Sequence, residues 1–299
     1  MKLTRTLSVL LCVLLIGGAA ASMASAAAPQ IGLAVSTLNN PFFVDLRDGA
    51  LEAANEAGLT ITVADAQNDP NRQLSQIENF IQQGVSIILV NPCDSAAIVP
   101  AIKAANKANI PVITVDRGAD GGEVVCHIAS DNVEGGRMAG EYLAKLVDYK
   151  GKLVELEGIP GTSAARDRGA GFNEVIKKYP DIKIVARQEA GFDRAKGMTV
   201  MENILQAQPE IDGIFCHNDE MALGALRAVE AAGRLSAIKI VGFDATDDAV
   251  KSVKDGKLVA TVAQKPRVMG SMAVETAKQV LDGVKVDEFI PVPLELVVK

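Results

Sequence analysis

The residues of this 299-residue chain that could do chemistry are polar and aromatic side chains placed just after short apolar stretches. Asp116 follows the apolar run at residues 111–115, and Asn218 follows the run at 211–216. Such a placement after successive runs predicts that these side chains meet at one edge of a sheet. The set comprises Ser36, Asn40, Phe42, Phe43, Asp116, Arg117, Arg166, Phe192, Asn218, Asp244 and Gln264.

This combination of side chains suits a sugar. Planar Asp, Asn, Gln and Arg groups can each bond two neighbouring hydroxyls, and aromatic rings can cover the apolar C–H faces. Each residue alone has a plainer interpretation: Asp116 and Arg117 would fit a solvated loop, and a lone Phe42 would fit core packing. Their coincidence at strand ends favours a carbohydrate site.

Sequence signatures of enzymes are missing. No G-x-G-x-x-G follows the first apolar run, and no P-loop or nucleophile elbow occurs. Residues 158–163 resemble a phosphate loop but lack its Lys, and Pro160 removes an N–H donor. The two histidines, His127 and His217, lie on separate segments without metal-type spacing and are interpreted as structural or rim residues. We therefore expect no catalytic residues, no metal and no cofactor.

The elements that must position the site follow from hydrophobic periodicity. Short apolar runs alternate with helical patterns, as in an α/β doubly wound architecture with parallel strands buried on both faces. The pattern forms two blocks and therefore predicts two sheets. Strands are predicted at 31–35, 61–63, 87–90, 111–115, 152–156, 182–186, 211–216 and 238–241, with helices at about 43–57, 71–83, 96–108 and 220–232.

The first residues read as an export signal. Lys2 and Arg5 precede an apolar run at 7–16, and Ala24-Ser25-Ala26 is a suitable cleavage site. We expect a signal peptide at residues 1–26 and a periplasmic mature protein; the alternative is an anchor helix that is never cleaved. Cys12 lies inside the apolar run, which argues against lipidation.

The net charge and the cysteines restrict the possible partners and the redox chemistry of the protein. The formal net charge of −7 argues against nucleic acid and anionic membranes as partners. Cys93, Cys126 and Cys216 are interpreted as buried free thiols, with one disulfide left open.

From residue 31 to 299 the chain resembles the type I periplasmic sugar-binding proteins, and among them the ribose-binding members. Any one matching segment is a moderate signal, and all of them in order are a strong one. The segments are residues 36–43, 109–117, 127–132, 161–166, 192–194, 218–226 and 241–244. Departures are peripheral: Cys216-His217 precedes Asn218, and Ala245 stands where Gly is commoner.

The resemblance implies a role for each matching position. The three phenylalanines would sandwich the sugar ring, with Ser36 at the rim and Gln264 near a hinge. The other polar residues would bond hydroxyls: Asn40, Asp116 and Arg117 from the first domain, and Arg166, Asn218 and Asp244 from the second. The expected ligand is D-ribose.

The resemblance also implies the domain plan and the partners. The first domain would comprise residues 27–130 plus 265–293, and the second 131–264 plus 294–299, joined by a three-segment hinge that closes around the sugar. The protein would be a monomer that delivers its ligand to an ABC permease, and whether a chemoreceptor also reads the closed form stays open.

Three other interpretations compete. The same fold could serve allose, galactofuranose, another pentose or a furanosyl signal molecule. A sugar-responsive transcription regulator shares the architecture but needs an N-terminal DNA-binding motif, which residues 1–28 cannot supply. A dehydrogenase would need the missing phosphate fingerprint.

Overall fold

The computed structural model describes residues 29–299, so the expected signal peptide lies outside the described residues. Its strands are β1 (Gln30–Val35), β2 (Thr60–Asp65), β3 (Ile87–Val90), β4 (Val112–Val115), β5 (Cys126–Ser130), β6 (Gly151–Glu157), β7 (Ile182–Glu189), β8 (Gly213–Cys216), β9 (Lys239–Asp244), β10 (Ala260–Ala263), β11 (Phe289–Val292) and β12 (Glu295–Val298). Its helices are α1 (Pro41–Glu56), α2 (Pro70–Gln83), α3 (Val99–Lys107), α4 (Asn132–Leu146), α5 (Ser163–Ile176), α6 (Arg194–Ala207), α7 (Asp219–Ala231), α8 (Asp247–Lys254) and α9 (Pro266–Leu281). Within this described part, no helix is long and apolar enough to cross a membrane.

The strands form two six-stranded sheets. The first has the order β11-β5-β4-β3-β1-β2 and the second the order β12-β10-β9-β8-β6-β7. Every pairing is parallel except that of β10 with β12. The predicted α/β class with two doubly wound sheets is confirmed.

The central strands are apolar because helices cover both faces of each sheet. All four residues of β3, β4 and β8 are buried, as expected for parallel strands in the middle of a layered domain. In the core beside the second sheet, Phe172 of α5 stacks on Phe215 of β8 with ring centroids 4.6 Å apart.

Helices α4 and α5 cross at very short range. Gly136 of α4 lies against the backbone carbonyl of Arg168 on α5, and a methyl group at Gly136 would overlap that carbonyl. The close approach fixes α5, and with it Arg168, against the second sheet.

The chain passes between the two sheets three times. It leaves the first sheet after β5, returns after β10, and crosses again between β11 and β12. Helix α9, which follows the return after β10, packs on α1 beside the first sheet. The predicted segment boundaries, at 130/131, 264/265 and 293/294, fall at these passages. The division into two hinged domains remains a prediction.

Candidate functional site

A small cavity lies where the carboxyl ends of the two sheets face each other. The empty space between its walls measures about 230 Å³, with the open solvent at its mouth included. Both sheets contribute to its wall. The lining residues are Asn40, Phe42, Phe43, Asp116, Arg117, Ala164, Arg168, Phe192, Asn218, Asp244 and Gln264.

Three lining residues sit in unusual backbone conformations. Asp116, Phe192 and Asp244 have φ values of 63°, 58° and 119°. Left-handed backbone is disfavoured for residues with a Cβ and is concentrated at functional sites, where surrounding structure enforces it. Each lines the cavity from a position at, or within three residues of, the end of a strand. Ala245, with φ of 59°, continues the same turn and explains why Gly is common there.

Two lining asparagines also cap helices. The Oδ1 atom of Asn40 accepts the N–H of Phe42 at the start of α1, and that of Asn218 accepts the N–H of Met221 at the start of α7. Because capping occupies the carbonyl oxygens, both side chains keep amide N–H groups as donors for a ligand.

The first sheet supplies a buried acid and a buried base. Asp116 Oδ2 accepts a hydrogen bond from Asn91 Nδ2 at 3.1 Å and lies 3.9 Å from Arg117 Nε. Asp116 Oδ1 and Arg117 Nε are buried without a hydrogen-bond partner. Burial raises the pKa of Asp116 and lowers the pKa of Arg117, while the opposite charge of each partner works against both shifts.

The second sheet supplies a matching pair. Arg168 Nη1 lies 3.5 Å from Asp244 Oδ1, and Arg168 Nε donates to Asn132 Oδ1 at 2.8 Å. Gln264 Nε2 donates to Asp244 Oδ1 at 2.8 Å, which leaves Gln264 Oε1 buried without a partner. Burial raises the pKa of Asp244 to about 7, against the lowering effect of Arg168.

Aromatic rings surround these charges. The guanidinium carbon of Arg117 lies 5.0 Å from the Phe43 ring centroid and 5.3 Å from that of Phe192, so Arg117 bridges rings from opposite sides of the cavity. Phe42 packs edge-on against Phe43 at 5.1 Å. The rings leave apolar surface on either side of the cavity.

The arrangement is suited to a small polyhydroxylated ligand. A buried polar atom without a partner costs about 1–3 kcal/mol. In the described cavity such atoms include an acceptor on Asp116, a donor on Arg117 and an acceptor on Gln264. Hydroxyl groups, which both donate and accept, can satisfy all three at once.

The structure places the Arg166 side chain outside the cavity wall. Its side chain is 48 % exposed and pairs with Asp120 at 3.1 Å, whereas that of Arg168 is 4 % exposed and lines the cavity. Two residues along an α-helix correspond to about 200°, so the two arginines face opposite sides of α5. The buried side of α5 carries Ala164, Ala165, Arg168 and Gly169, and this helical spacing is the signal that could have identified Arg168.

The remaining predicted residues fall into two groups. Nine of the eleven line the cavity: Asn40, Phe42, Phe43, Asp116, Arg117, Phe192, Asn218, Asp244 and Gln264. Ser36 does not, since it is fully buried at the end of β1, where its backbone N–H donates to Asn91 Oδ1. Ala164 and Arg168 line the cavity and were not predicted.

A second set of contacts joins the two sides of the cleft without touching the cavity. Ser95, which follows β3, donates its backbone N–H to Gly161 O at 3.0 Å. Ser95 Oγ accepts the N–H of Ser163 at 3.2 Å and donates to Gly118 O at 2.8 Å, and Gly118 N–H donates to Ser163 Oγ at 2.9 Å. We call Ser95, Gly118, Gly161 and Ser163 the serine clasp.

The cysteines behave as the sequence predicts. Cys93, Cys126 and Cys216 are free and buried. Burial raises the pKa of Cys93 to about 12 and that of Cys126 to about 11. Within residues 29–299, no group of three His, Cys, Asp or Glu side chains is placed to hold a metal ion.

Comparison with known proteins gives consistent relatives. Residues 31–285 match the family model described as periplasmic binding protein domain. The chain is 53 % identical to the ribose import binding protein RbsB of Escherichia coli K12, covering 90 % of each chain. It is 49 % identical to RbsB of Bacillus subtilis 168, covering 89 % of this chain and 86 % of that one. A solved solute-binding protein of an ABC transporter from Actinobacillus succinogenes, with bound D-allose, has a TM-score of 0.85 and 35 % identity, covering 90 % of this chain and 97 % of that one.

Proposed function

This chain belongs to the periplasmic binding protein family, and we propose that it binds D-ribose in the cavity between its two sheets. The observation that carries the proposal is the set of buried, unpartnered polar atoms on Asp116, Arg117 and Gln264. They lie beside the rings of Phe42, Phe43 and Phe192 in the wall of one cavity. Ribose offers hydroxyls to those atoms and C–H faces to the rings.

The ligand residues of the proposal are those that line the cavity, with Arg168 in the place first expected for Arg166. Asp116 and Asp244 would accept from hydroxyls, and Arg117, Arg168, Asn40 and Asn218 would donate. A site that pairs nearly every hydroxyl discriminates among epimers, because a misplaced hydroxyl leaves buried groups unpaired.

The biological role we propose is delivery of the bound sugar to an ABC permease. The two domains would close around the sugar by a hinge at the three passages between sheets, and an ABC permease would recognise the closed form. The likeness to two ribose import binding proteins supports this role. We propose further that the mature protein is exported to the periplasm after cleavage of residues 1–26, acts as a monomer and is not an enzyme.

A second candidate ligand comes from the neighbour whose structure holds D-allose. Allose is a hexose, so its additional carbon and hydroxyl would have to fit among the same lining residues. Ribose is favoured because the two ribose import binding proteins are 53 % and 49 % identical to this chain, whereas the protein that holds D-allose is 35 % identical.

A thermal-shift panel tests the ligand. The purified protein is melted with D-ribose, D-allose, L-arabinose, D-xylose, D-galactose and myo-inositol, each at 1 mM as a chosen test concentration. A ligand present at ~100 times its Kd stabilises the folded state by about 2.7 kcal/mol, which corresponds to several degrees for a protein of this size. Ribose should give the largest shift. A larger shift with another sugar would transfer the role to that sugar, and no shift with any would contradict the proposal.

A further inference from the structure

We propose that His217 is a positioning residue for the sugar site, holding three ligand-facing residues in place without touching the ligand. The inference rests on the proposed binding function and deepens it. His217 follows β8, is 1 % exposed and is not part of the cavity wall. Its imidazole lies behind the second-sheet side of the site.

One ring nitrogen is anchored to a buried acid. His217 Nε2 lies 3.0 Å from Glu155 Oε1, and Glu155, on β6, is fully buried. Glu155 also accepts hydrogen bonds from Asn173 Nδ2 at 3.0 and 3.1 Å and from Arg187 Nε at 2.7 Å. Burial works to raise the pKa of Glu155, but the contacts around it, the hydrogen bond from His217 foremost, hold that pKa below its ordinary value. The Glu155 carboxylate is thus held in place by several hydrogen bonds, and it fixes the position of the imidazole in turn.

The other ring nitrogen supports an aromatic wall. Nδ1 of His217 accepts the N–H of Gly158 at 3.4 Å, which requires the tautomer that carries its proton on Nε2. Gly158 lies against the outer end of the Phe192 ring, and a methyl group there would overlap the ring atom Cζ. The imidazole therefore sets the position of the backbone on which Phe192 rests.

The backbone of His217 holds the cavity's second arginine. Its carbonyl oxygen accepts from Arg168 Nη1 at 2.6 Å, which is shorter than the 3.5 Å from the same nitrogen to Asp244 Oδ1. The next residue, Asn218, caps α7 and donates from Nδ2 to Phe192 O at 3.4 Å. Arg168, Phe192 and Asn218 therefore all depend on one residue, which Glu155 holds in place.

The test compares two substitutions that differ in whether Glu155 keeps its partner. His217→Gln retains an amide that can reach the carboxylate, so its Kd for D-ribose should stay within about threefold of wild type. His217→Leu removes the anchor, and its Kd should rise by about fiftyfold or more, since a buried carboxylate loses a partner and three ligand residues shift. Wild-type affinity in His217→Leu, or equal losses in both variants, would overturn the proposal.

Two further variants guard against a purely structural effect. Val175→Ala creates a core defect on α5 away from the cleft, so it should lower the melting temperature and leave the Kd unchanged. If His217→Leu does not fold, His217→Asn, whose amide is too short to reach Glu155, should raise the Kd by about tenfold. Wild-type affinity in His217→Asn would equally contradict the proposal.

A sugar-free measurement separates this inference from the proposed function. Without ligand, nitrogen-15 spectra should show a proton on His217 Nε2, the ring nitrogen that faces Glu155. His217→Asn should shift the amide resonances of Gly158 and Asn218 and the Nε resonance of Arg168, while His217→Gln should disturb them less. Unmoved resonances would overturn the positioning role even if ribose binds. Moved resonances with no ribose binding in wild type would uphold the positioning and reject the ligand.

Discussion

Arg166 and Arg168 stand two positions apart on α5 but serve opposite sides of the molecule. The guanidinium of Arg168 lies 3.5 Å from Asp244 inside the cavity, and that of Arg166 lies 3.1 Å from Asp120 at the exposed edge of the cleft. Since successive helical residues turn by about 100°, only one of them can face the ligand. This pair provides a matched comparison for the site assignment.

Arg168→Ala should abolish tight sugar binding, whereas Arg166→Ala should leave it nearly intact. Truncating one member of a buried hydrogen-bonded charge pair costs about 2–5 kcal/mol, equivalent to roughly 30-fold to several thousand-fold in Kd. An exposed pair such as Arg166 with Asp120 contributes about 0–1 kcal/mol. Calorimetric titration of both variants with D-ribose checks this. A larger loss in Arg166→Ala than in Arg168→Ala would refute the site geometry.

Sugar affinity should fall in acid. Burial raises the pKa of Asp244 from 3.8 to about 7, so lowering the pH through 7 protonates a carboxylate that accepts from the sugar. Because the folded pKa lies above the unfolded one, protonation favours the empty folded protein as the pH falls from about 7 towards 4. Proton and sugar then compete for the same oxygens.

The expected result is a ribose Kd at least about tenfold weaker at pH 5.5 than at pH 8. The control is Asp244→Asn, which should bind more weakly at pH 8 but lose most of the pH dependence. Equal Kd values for the wild type at the two pH values would show that Asp244 is not titrating in the site.

The serine clasp should set affinity without setting selectivity. Ser163→Ala removes the hydroxyl that accepts from Gly118, and a typical hydrogen bond contributes about 0.5–1.5 kcal/mol. In the proposed hinge closure the lost contact would form with the closed state and not with the ligand, so every sugar should bind about two- to tenfold more weakly. The ratio of the ribose Kd to that of the next-best sugar should stay constant.

The matched comparison for the clasp is Asn40→Ala, which removes a cavity donor and should change that ratio. A changed ratio in Ser163→Ala would mean that the clasp shapes the cavity itself.

Ala245→Gly should stabilise the empty protein slightly. Ala245 has φ of 59°, and left-handed backbone costs about 1–2 kcal/mol for a residue with a Cβ. The entropy of the unfolded chain offsets about 0.5–1 kcal/mol of that gain, so the melting temperature should rise by about 1–3 °C. Ala104→Gly, at an exposed position within α3, should lower it instead. A fall for Ala245→Gly would show that its turn carries no such cost.

Much of this fold could be predicted from the sequence because buried parallel strands appear in it as short runs of apolar residues. The run at 87–90 predicted β3 at the residues observed, and most other predicted strands overlap the observed ones within a few residues. Strand β11 was not predicted on its own, because Pro291 and exposed residues at an edge of the first sheet break the apolar pattern. Strand β10, Ala260–Ala263, is short and rich in small residues, so its signal is weak.

The site was predictable where side chains follow strands and less so where a helix supplies them. Asp116 and Asp244 directly follow or end a strand, and their place at the sheet edge follows from the topology. Arg168 lies one and a half turns inside α5, so its direction depends on where that helix begins. Thr162 caps α5 through its side chain, a signal that fixes the helical phase and selects Arg168 over Arg166.

The most direct test of the central claim is calorimetric titration of the wild-type protein with D-ribose at pH 8. The account predicts one site per chain and a Kd at least about a hundredfold lower than for D-xylose or D-galactose, because a hydroxyl placed differently from those of ribose leaves a buried polar atom of the cavity unpaired. Absence of heat with ribose, or equal binding of all these sugars, would contradict the assignment of this cavity to ribose.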